Sequence, residues 1–166
     1  KTDQKSQRIE YSYDTFRRVT QMRKYLPGYQ TDDACQRVNY YYDTNPFESN
    51  FTENAWGRLA VVEYGDPSCT GGQYRESYSY TASGLAVKKK LRMYHAGLGI
   101  GSLEAQWSYN NEGKIVTVKH PDTYDNNDNL IVGRTYTNTY DAMGRPLKVT
   151  DDQEYPVDWA KDATYG

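Results

Sequence analysis

The chain has little of what usually builds a catalytic centre. Its 166 residues include only two histidines, two cysteines, three methionines and three phenylalanines. Neither His95 nor His120 has companions at metal-ligand spacing, so no metal site and no cofactor are expected. No stretch approaches the ~20 apolar residues of a transmembrane helix, and none reads as a signal peptide. Membrane insertion is therefore not expected. The formal net charge of −2 gives no field for capturing nucleic acid. Lys88-Lys89-Lys90 is the one basic run and reads as a solvated strand edge. Gly97-Leu98-Gly99-Ile100-Gly101 is followed by no helix or lysine of a phosphate loop, and reads as a flexible connection. No segment carries a 3.6-residue apolar stripe, so helix should be almost absent, with a short turn near Pro156 to Ala163.

Tyrosine is what the chain has in quantity: 18 of them. A mean hydropathy of −0.97 undervalues these rings, which are amphipathic, bulky and strand-forming. Disordered segments are poor in aromatics, so the composition points to a folded β protein packed largely through tyrosine.

The tyrosines recur in a pattern. Aromatic-x-Tyr followed by an Asp/Asn-type turn appears at Tyr11-Ser12-Tyr13-Asp14, Tyr40-Tyr41-Tyr42-Asp43, Tyr78-Ser79-Tyr80-Thr81, Trp107-Ser108-Tyr109-Asn110 and Asn138-Thr139-Tyr140-Asp141. The final tyrosines fall at 13, 42, 80, 109 and 140, spaced 29, 38, 29 and 31 apart. Such a period means stacked units, each too small to bury its own apolar face. Period-2 alternation puts Ile9/Tyr11/Tyr13, Val38/Tyr40/Tyr42, Glu76/Tyr78/Tyr80, Ala105/Trp107/Tyr109 and Tyr136/Asn138/Tyr140 on one face. Ser12, Ser79, Ser108 and Thr139 fall on the other, as in a sheet with one buried side.

Each strand ends in a turn with a mechanism. In Asn110-Asn111-Glu112-Gly113 and Asp141-Ala142-Met143-Gly144 an Asx side chain bonds its own backbone while glycine accepts positive φ. Thr81-Ala82-Ser83-Gly84 is a weaker version, and Asp14-Thr15-Phe16-Arg17 has arginine where glycine is expected, predicting a strained or differently built turn. Thr44 to Ala55 is an insertion before Gly57, expected to lie over the surface as a loop. Return strands are predicted over Arg18–Arg23, Arg58–Tyr64, Leu85–Met93, Lys114–Lys119 and Pro146–Thr150, with connecting loops at 27–36, 65–73, 96–102 and 120–129. The units thus lie near 9–26, 38–64, 76–94, 105–120 and 135–151, in a single array with a tail at 152–166.

Tyr140-Asp141-Ala142-Met143-Gly144-Arg145-Pro146-Leu147-Lys148-Val149-Thr150 resembles the YD repeat, also called the RHS repeat: Tyr-Asp, two residues, Gly-Arg, then an apolar strand. The match is partial at Tyr109-Asn110 with Gly113-Lys114 and at Tyr42-Asp43 with Gly57-Arg58. Arg17-Arg18 replaces Gly-Arg in the first unit, and Thr81 and Leu85 depart from the pattern in the third. The resemblance covers roughly residues 9–151 and implies an all-β fold of antiparallel hairpins stacked as a β-spiral or curved sheet. Members of this family, the bacterial Rhs proteins, toxin-complex C subunits and teneurins, wind such hairpins into shells that enclose a toxin or support adhesion. The Asp-Pro-containing segment that closes bacterial shells is missing here, so self-cleavage is not carried over to any residue.

On this reading Tyr13, Tyr42, Tyr80, Tyr109 and Tyr140 form a column with ring contacts from unit to unit. Gly84, Gly113 and Gly144 shape turns, Asp14, Asp43 and Asp141 cap them, and Arg58 and Arg145 pair with carboxylates of the next unit. Cys35 and Cys69 lie 34 residues apart at near-equivalent places in adjacent units, either disulfide-bonded or as two free thiols.

The expected function is architectural and non-enzymatic: a segment of a larger secreted or surface protein, cut from its parent at Lys1, walling or presenting a cargo. Its partners would be neighbouring repeats of the parent, an enclosed cargo or a glycan, with self-association possible through exposed strand edges. The alternative is a carbohydrate- or protein-binding module. Trp56, Tyr124 and Trp159 are its candidate binding residues, with Tyr29 also in a loop. A glycoside hydrolase is third: Glu63 and Glu76 are candidate carboxylates that look like ordinary surface charge. Asp125-Asn126-Asn127-Asp128-Asn129 begins like a calcium loop, but Leu130 and Tyr136 stand where Gly and Glu are required, so a polar turn is expected. Asn50-Phe51-Thr52 is a glycosylation sequon, meaningful in a eukaryotic secreted protein.

Overall fold

The computed structural model describes residues 2–95, 99–125, 127, 129–152, 158–160 and 163. Alternating side chains and Asx turns give β1 (Arg8–Tyr13), β2 (Val19–Tyr25), β3 (Val38–Tyr42), β4 (Leu59–Gly65), β5 (Gln73–Tyr80), β6 (Ala86–His95) and β7 (Gly99–Tyr109). They continue as β8 (Ile115–Lys119), β9 (Thr123–Tyr124), β10 (Leu130–Ile131), β11 (Thr135–Tyr140), β12 (Pro146–Asp151) and β13 (Asp158–Ala160). The fold is all-β and antiparallel. Strands are hydrogen-bonded in chain order, except that β9 and β10 make a small ribbon of their own. A 3-10 turn, Ala34–Gln36, joins β2 to β3.

Four hairpins share one irregularity. A bulge precedes the repeat tyrosine in each, between Ser12/Tyr13, Tyr41/Tyr42, Ser108/Tyr109 and Thr139/Tyr140. The bulge adds twist beside the turn and re-aims the tyrosine. In the turns, Asn110 Oδ1 accepts from the Glu112 and Lys114 amides at 3.0 and 2.9 Å, and Asp141 Oδ1 from Met143 and Arg145 at 2.9 and 2.8 Å. The first turn has the same frame: Asp14 Oδ1 accepts from Phe16 and Arg18, both at 2.9 Å. Arg17 there adopts φ +63°, so the strain expected is present while the construction is unchanged.

The chain divides into two compact units, Lys1–Gly84 with Lys90–Ser102 and Leu85–Lys89 with Leu103–Gly166. In the first, the insertion forms part of the core. Ala55, Ala60 and Val61 cluster at 4, 0 and 0% exposure, with Tyr41 and Tyr80 against them. Phe51 and Asn45 are buried too. Asn45 donates to Ser77 Oγ at 3.3 Å, and the Glu53 amide donates to Ser79 Oγ at 3.1 Å. This corrects the one-sided picture: Ser77 and Ser79 are buried because the insertion covers their face. Lys90 is likewise not a solvated edge. It lies on β6, an interior strand, where its ammonium pairs with Glu48 at 2.8 Å over the Phe51 ring.

In the second unit, strands β8, β11 and most of β12 are half-buried, with Asp151 buried at the end. Three connections differ from the sequence reading. Gly99–Gly101 begins β7, residues 120–129 hold β9, and the tail contributes strand β13 where a turn was expected.

Candidate functional site

The repeated feature of this molecule is the junction between consecutive hairpins. Tyr80 Oη donates to the Leu59 carbonyl, Tyr109 Oη to Ala86 and Tyr140 Oη to Ile115, each at 2.7 Å. Each acceptor stands two positions after the turn glycine of the preceding hairpin: Gly57, Gly84 and Gly113. Every hydroxyl therefore satisfies a backbone carbonyl of its predecessor. A bond of this kind contributes about 0.5–1.5 kcal/mol net.

The residue directly after each turn glycine completes the junction. Arg58 lies 5.8 Å from the Tyr80 ring centre, and the Lys114 ammonium 5.7 Å from that of Tyr140. Arg18, after Arg17 in the glycine position, stands 4.4 Å from the Tyr42 ring. At the remaining junction Leu85 takes the place of the base. The same side chains explain the next glycine: a Cβ on Gly84 would come within 2.6–3.0 Å of the Arg58 guanidinium, and one on Gly144 would collide with the Lys114 ammonium. A Cβ on Gly113 would meet Leu85 Cδ1 at an ordinary 3.6 Å.

Between the first two hairpins the junction is ionic. Arg18 donates to Asp43 Oδ1 and Oδ2 at 3.0 and 2.8 Å while its Nε donates to Asp14 Oδ2 at 2.7 Å. Asp43 Oδ1 also accepts from the Gly57 amide at 2.6 Å. The Arg18 bonds, then the Gly57 amide, hold the Asp43 carboxyl below its ordinary range. Asp43 and then Asp14 hold Arg18 all the more firmly protonated.

Several site expectations change accordingly. Tyr80, Tyr109 and Tyr140 connect by hydroxyl, with a flanking base at Tyr80 and Tyr140, and the ring pairs among the described residues are Tyr41–Phe47 and His120–Tyr136. Among the described residues, Arg18 pairs with a carboxylate of the next unit, Arg145 bonds Asp141 of its own turn at 2.7 Å, and Arg58 donates to the Asn54 carbonyl at 2.8 Å. Tyr13, on the first hairpin, is 59% exposed. Cys35 and Cys69 are joined in a disulfide with Cα atoms 5.6 Å apart, tying the 3-10 turn to the loop before β5.

The candidate binding aromatics stand apart from this machinery. Trp56, at a turn tip of the first unit, is 82% exposed; Tyr124, in the second, is 69% exposed. Trp159 falls in β13, and its side chain lies outside the described residues. Glu63 is not surface charge: it is buried at 7% exposure and paired with Arg75 at 2.7 Å. The register Val62↔Glu76 and Glu63↔Arg75 sends Glu63 and Glu76 to opposite faces, so they form no carboxylate pair across a cleft. On its own face Glu76 accepts from Tyr78 Oη, while burial first and this carboxylate second raise the Tyr78 pKa. Asp125 accepts from the Asn127 and Asn129 amides at 2.8 and 2.9 Å, which builds a tight turn. Asn126 and Asp128 lie outside the described residues.

Sequence reasoning did not find a polar ladder beside the insertion. Gln21 donates to Asn39 at 2.9 Å, Asn39 to Glu63 at 3.3 Å, and Arg75 to Glu63 and to Tyr94 Oη at 2.7 and 3.3 Å. Phe47 of the insertion covers it, its ring centre 3.4 Å from the Arg75 guanidinium carbon. Period-2 alternation places these residues on one face but carries no sign of what covers them.

No protein-family model matches the sequence, and no curated protein matches it. Among solved structures, a chain of the "Crystal Structure of TcdB2-TccC3" is similar at 10% identity with a TM-score of 0.44. The alignment covers 89% of this chain and 9% of that one, so the present chain spans a small part of its length.

Proposed function

We propose that the chain is a structural segment of a larger secreted or surface YD-type repeat protein, forming part of a wall or presenting scaffold. The reading rests on the repeated junction, in which hydroxyl, carbonyl and flanking side chain recur at Tyr80, Tyr109 and Tyr140. A device repeated at a fixed place in successive hairpins stacks units; it does not gather chemistry at one point. The Cys35–Cys69 disulfide supports an oxidising compartment.

The test is made in the parent protein. Deleting residues 9–151 should abolish its assembly and expose the flanking region to protease, with the point variants of the junction giving intermediate sensitivity. A parent that assembles and resists protease equally well without this segment would contradict the proposal.

A further inference from the structure

We propose that the first hairpin carries a binding site for a neutral mono- or disaccharide, in the cavity between Tyr11, Leu26 and the 3-10 turn. The inference goes beyond the scaffold reading and does not depend on it. The cavity encloses about 360 Å³ at the ends of β1 and β2 remote from the hairpin turn. Small-molecule sites begin near roughly 300 Å³, which admits one or two pyranose rings and little more.

Its chemistry follows from register. Ile9↔Lys24 and Tyr11↔Met22 are cross-strand partners, so alternation brings Ile9, Tyr11, Lys24 and Leu26 to one face. Ile9 and Leu26 give an apolar floor, and Tyr11 leaves 46% of its surface open. An exposed ring of this kind accepts the C–H-rich face of a sugar. Around it stand the amides of Gln7 and Gln36, the Lys24 ammonium and the Asp3 carboxylate. Sugar hydroxyls donate and accept at once, and this rim supplies both roles. Arg8 also lines the cavity and is paired with Glu10 at 3.3 Å, while Lys24 is matched in sign by Asp3, so the rim favours neither an anion nor a cation.

One wall is held covalently. Gln36 follows Cys35, whose disulfide to Cys69 fixes the 3-10 turn, and it is oriented by Asp33 Oδ2 at 2.8 Å and Lys24 Nζ at 3.4 Å. Saccharide binding should therefore respond to reduction of that bond.

The intact chain is titrated with maltose, cellobiose, lactose and N,N′-diacetylchitobiose, following tyrosine ring signals by NMR. At least one sugar should bind saturably. Tyr11→Ala should weaken it roughly tenfold, the loss of one stacking ring. Tyr11→Phe should retain it, Gln7→Ala and reduction should weaken it, and Trp56→Ala should leave it unchanged. Circular dichroism on each variant separates loss of the site from loss of the fold. Binding by none of the four sugars, binding indifferent to Tyr11→Ala in a folded variant, or binding lost in Trp56→Ala would each overturn the proposal.

Discussion

The hairpin β3–β4 and the hairpin β11–β12 carry the same Tyr-Asp-Gly-Arg signature but reach different degrees of burial. In β3–β4 and the adjoining β5, Ala60, Val61 and Ser79 are wholly inaccessible. In β11–β12 most residues are half-buried. The difference is the insertion, which lays Asn45, Phe51 and Ala55 against the sheet. The repeat signature connects neighbours, whereas a dry core requires a second layer. Where the chain supplies one, polar residues such as Ser77, Ser79 and Glu63 are buried and hydrogen-bonded.

This contrast can be broken most forcefully at Phe51. Phe51→Ala should cost about 3–5 kcal/mol in chemical denaturation, as for other buried aromatics. Val118→Ala, at a half-buried position of the second unit, should cost clearly less. Equal losses would remove the distinction between covered and uncovered hairpins. Next in size is the disulfide of the covered unit. Reduction, or Cys35→Ser with Cys69→Ser, should lower stability by about 3–4 kcal/mol for a closure of this length, read as a fall in the denaturant midpoint.

Glycine replacements sharpen the comparison within the junctions. Gly84→Ala adds a methyl group against Arg58 at φ +95° and should cost about 2–3 kcal/mol, displacing the guanidinium from Tyr80. Gly113→Ala meets Leu85 at contact distance and should cost about 1 kcal/mol, for backbone strain alone. Thermal melting of the pair decides whether the crossing side chain matters. A weaker effect is expected from acid. Asp43 has a folded pKa below its unfolded value, so its pairing with Arg18 is at full strength above the ordinary carboxylate range. That contribution fades as pH falls through the lowered folded value. Asp43→Asn should flatten this acid limb of the stability profile while leaving neutral-to-alkaline behaviour parallel to the wild type.

The hairpins were legible in the sequence because each carries its own local chemistry. Alternating side chains mark the strands, and Asn110 with Gly113 or Asp141 with Gly144 marks the turn without reference to anything distant. The insertion was legible in position but not in role: Thr44 to Ala55 has no period, and nothing in an aperiodic loop announces that Phe51 will be buried. For the same reason Ser79 and Lys90 read as solvent-facing. Their burial is a property of the covering segment, not of their own strands. Spacing singled out Tyr80, Tyr109 and Tyr140 but not the carbonyls that their hydroxyls meet. At Tyr109 and Tyr140 a bulge shifts register by one residue beside the tyrosine, and such a shift leaves no mark in composition.

The stacking account is tested most directly by removing one oxygen atom at a time. Tyr80→Phe, Tyr109→Phe and Tyr140→Phe should each lower unfolding free energy by about 0.5–1.5 kcal/mol, the worth of one hydroxyl-to-carbonyl bond. Tyr13→Phe, at the 59% exposed tyrosine of the first hairpin, should change nothing measurable. Losses that are absent at all three positions, or just as large at Tyr13, would contradict it.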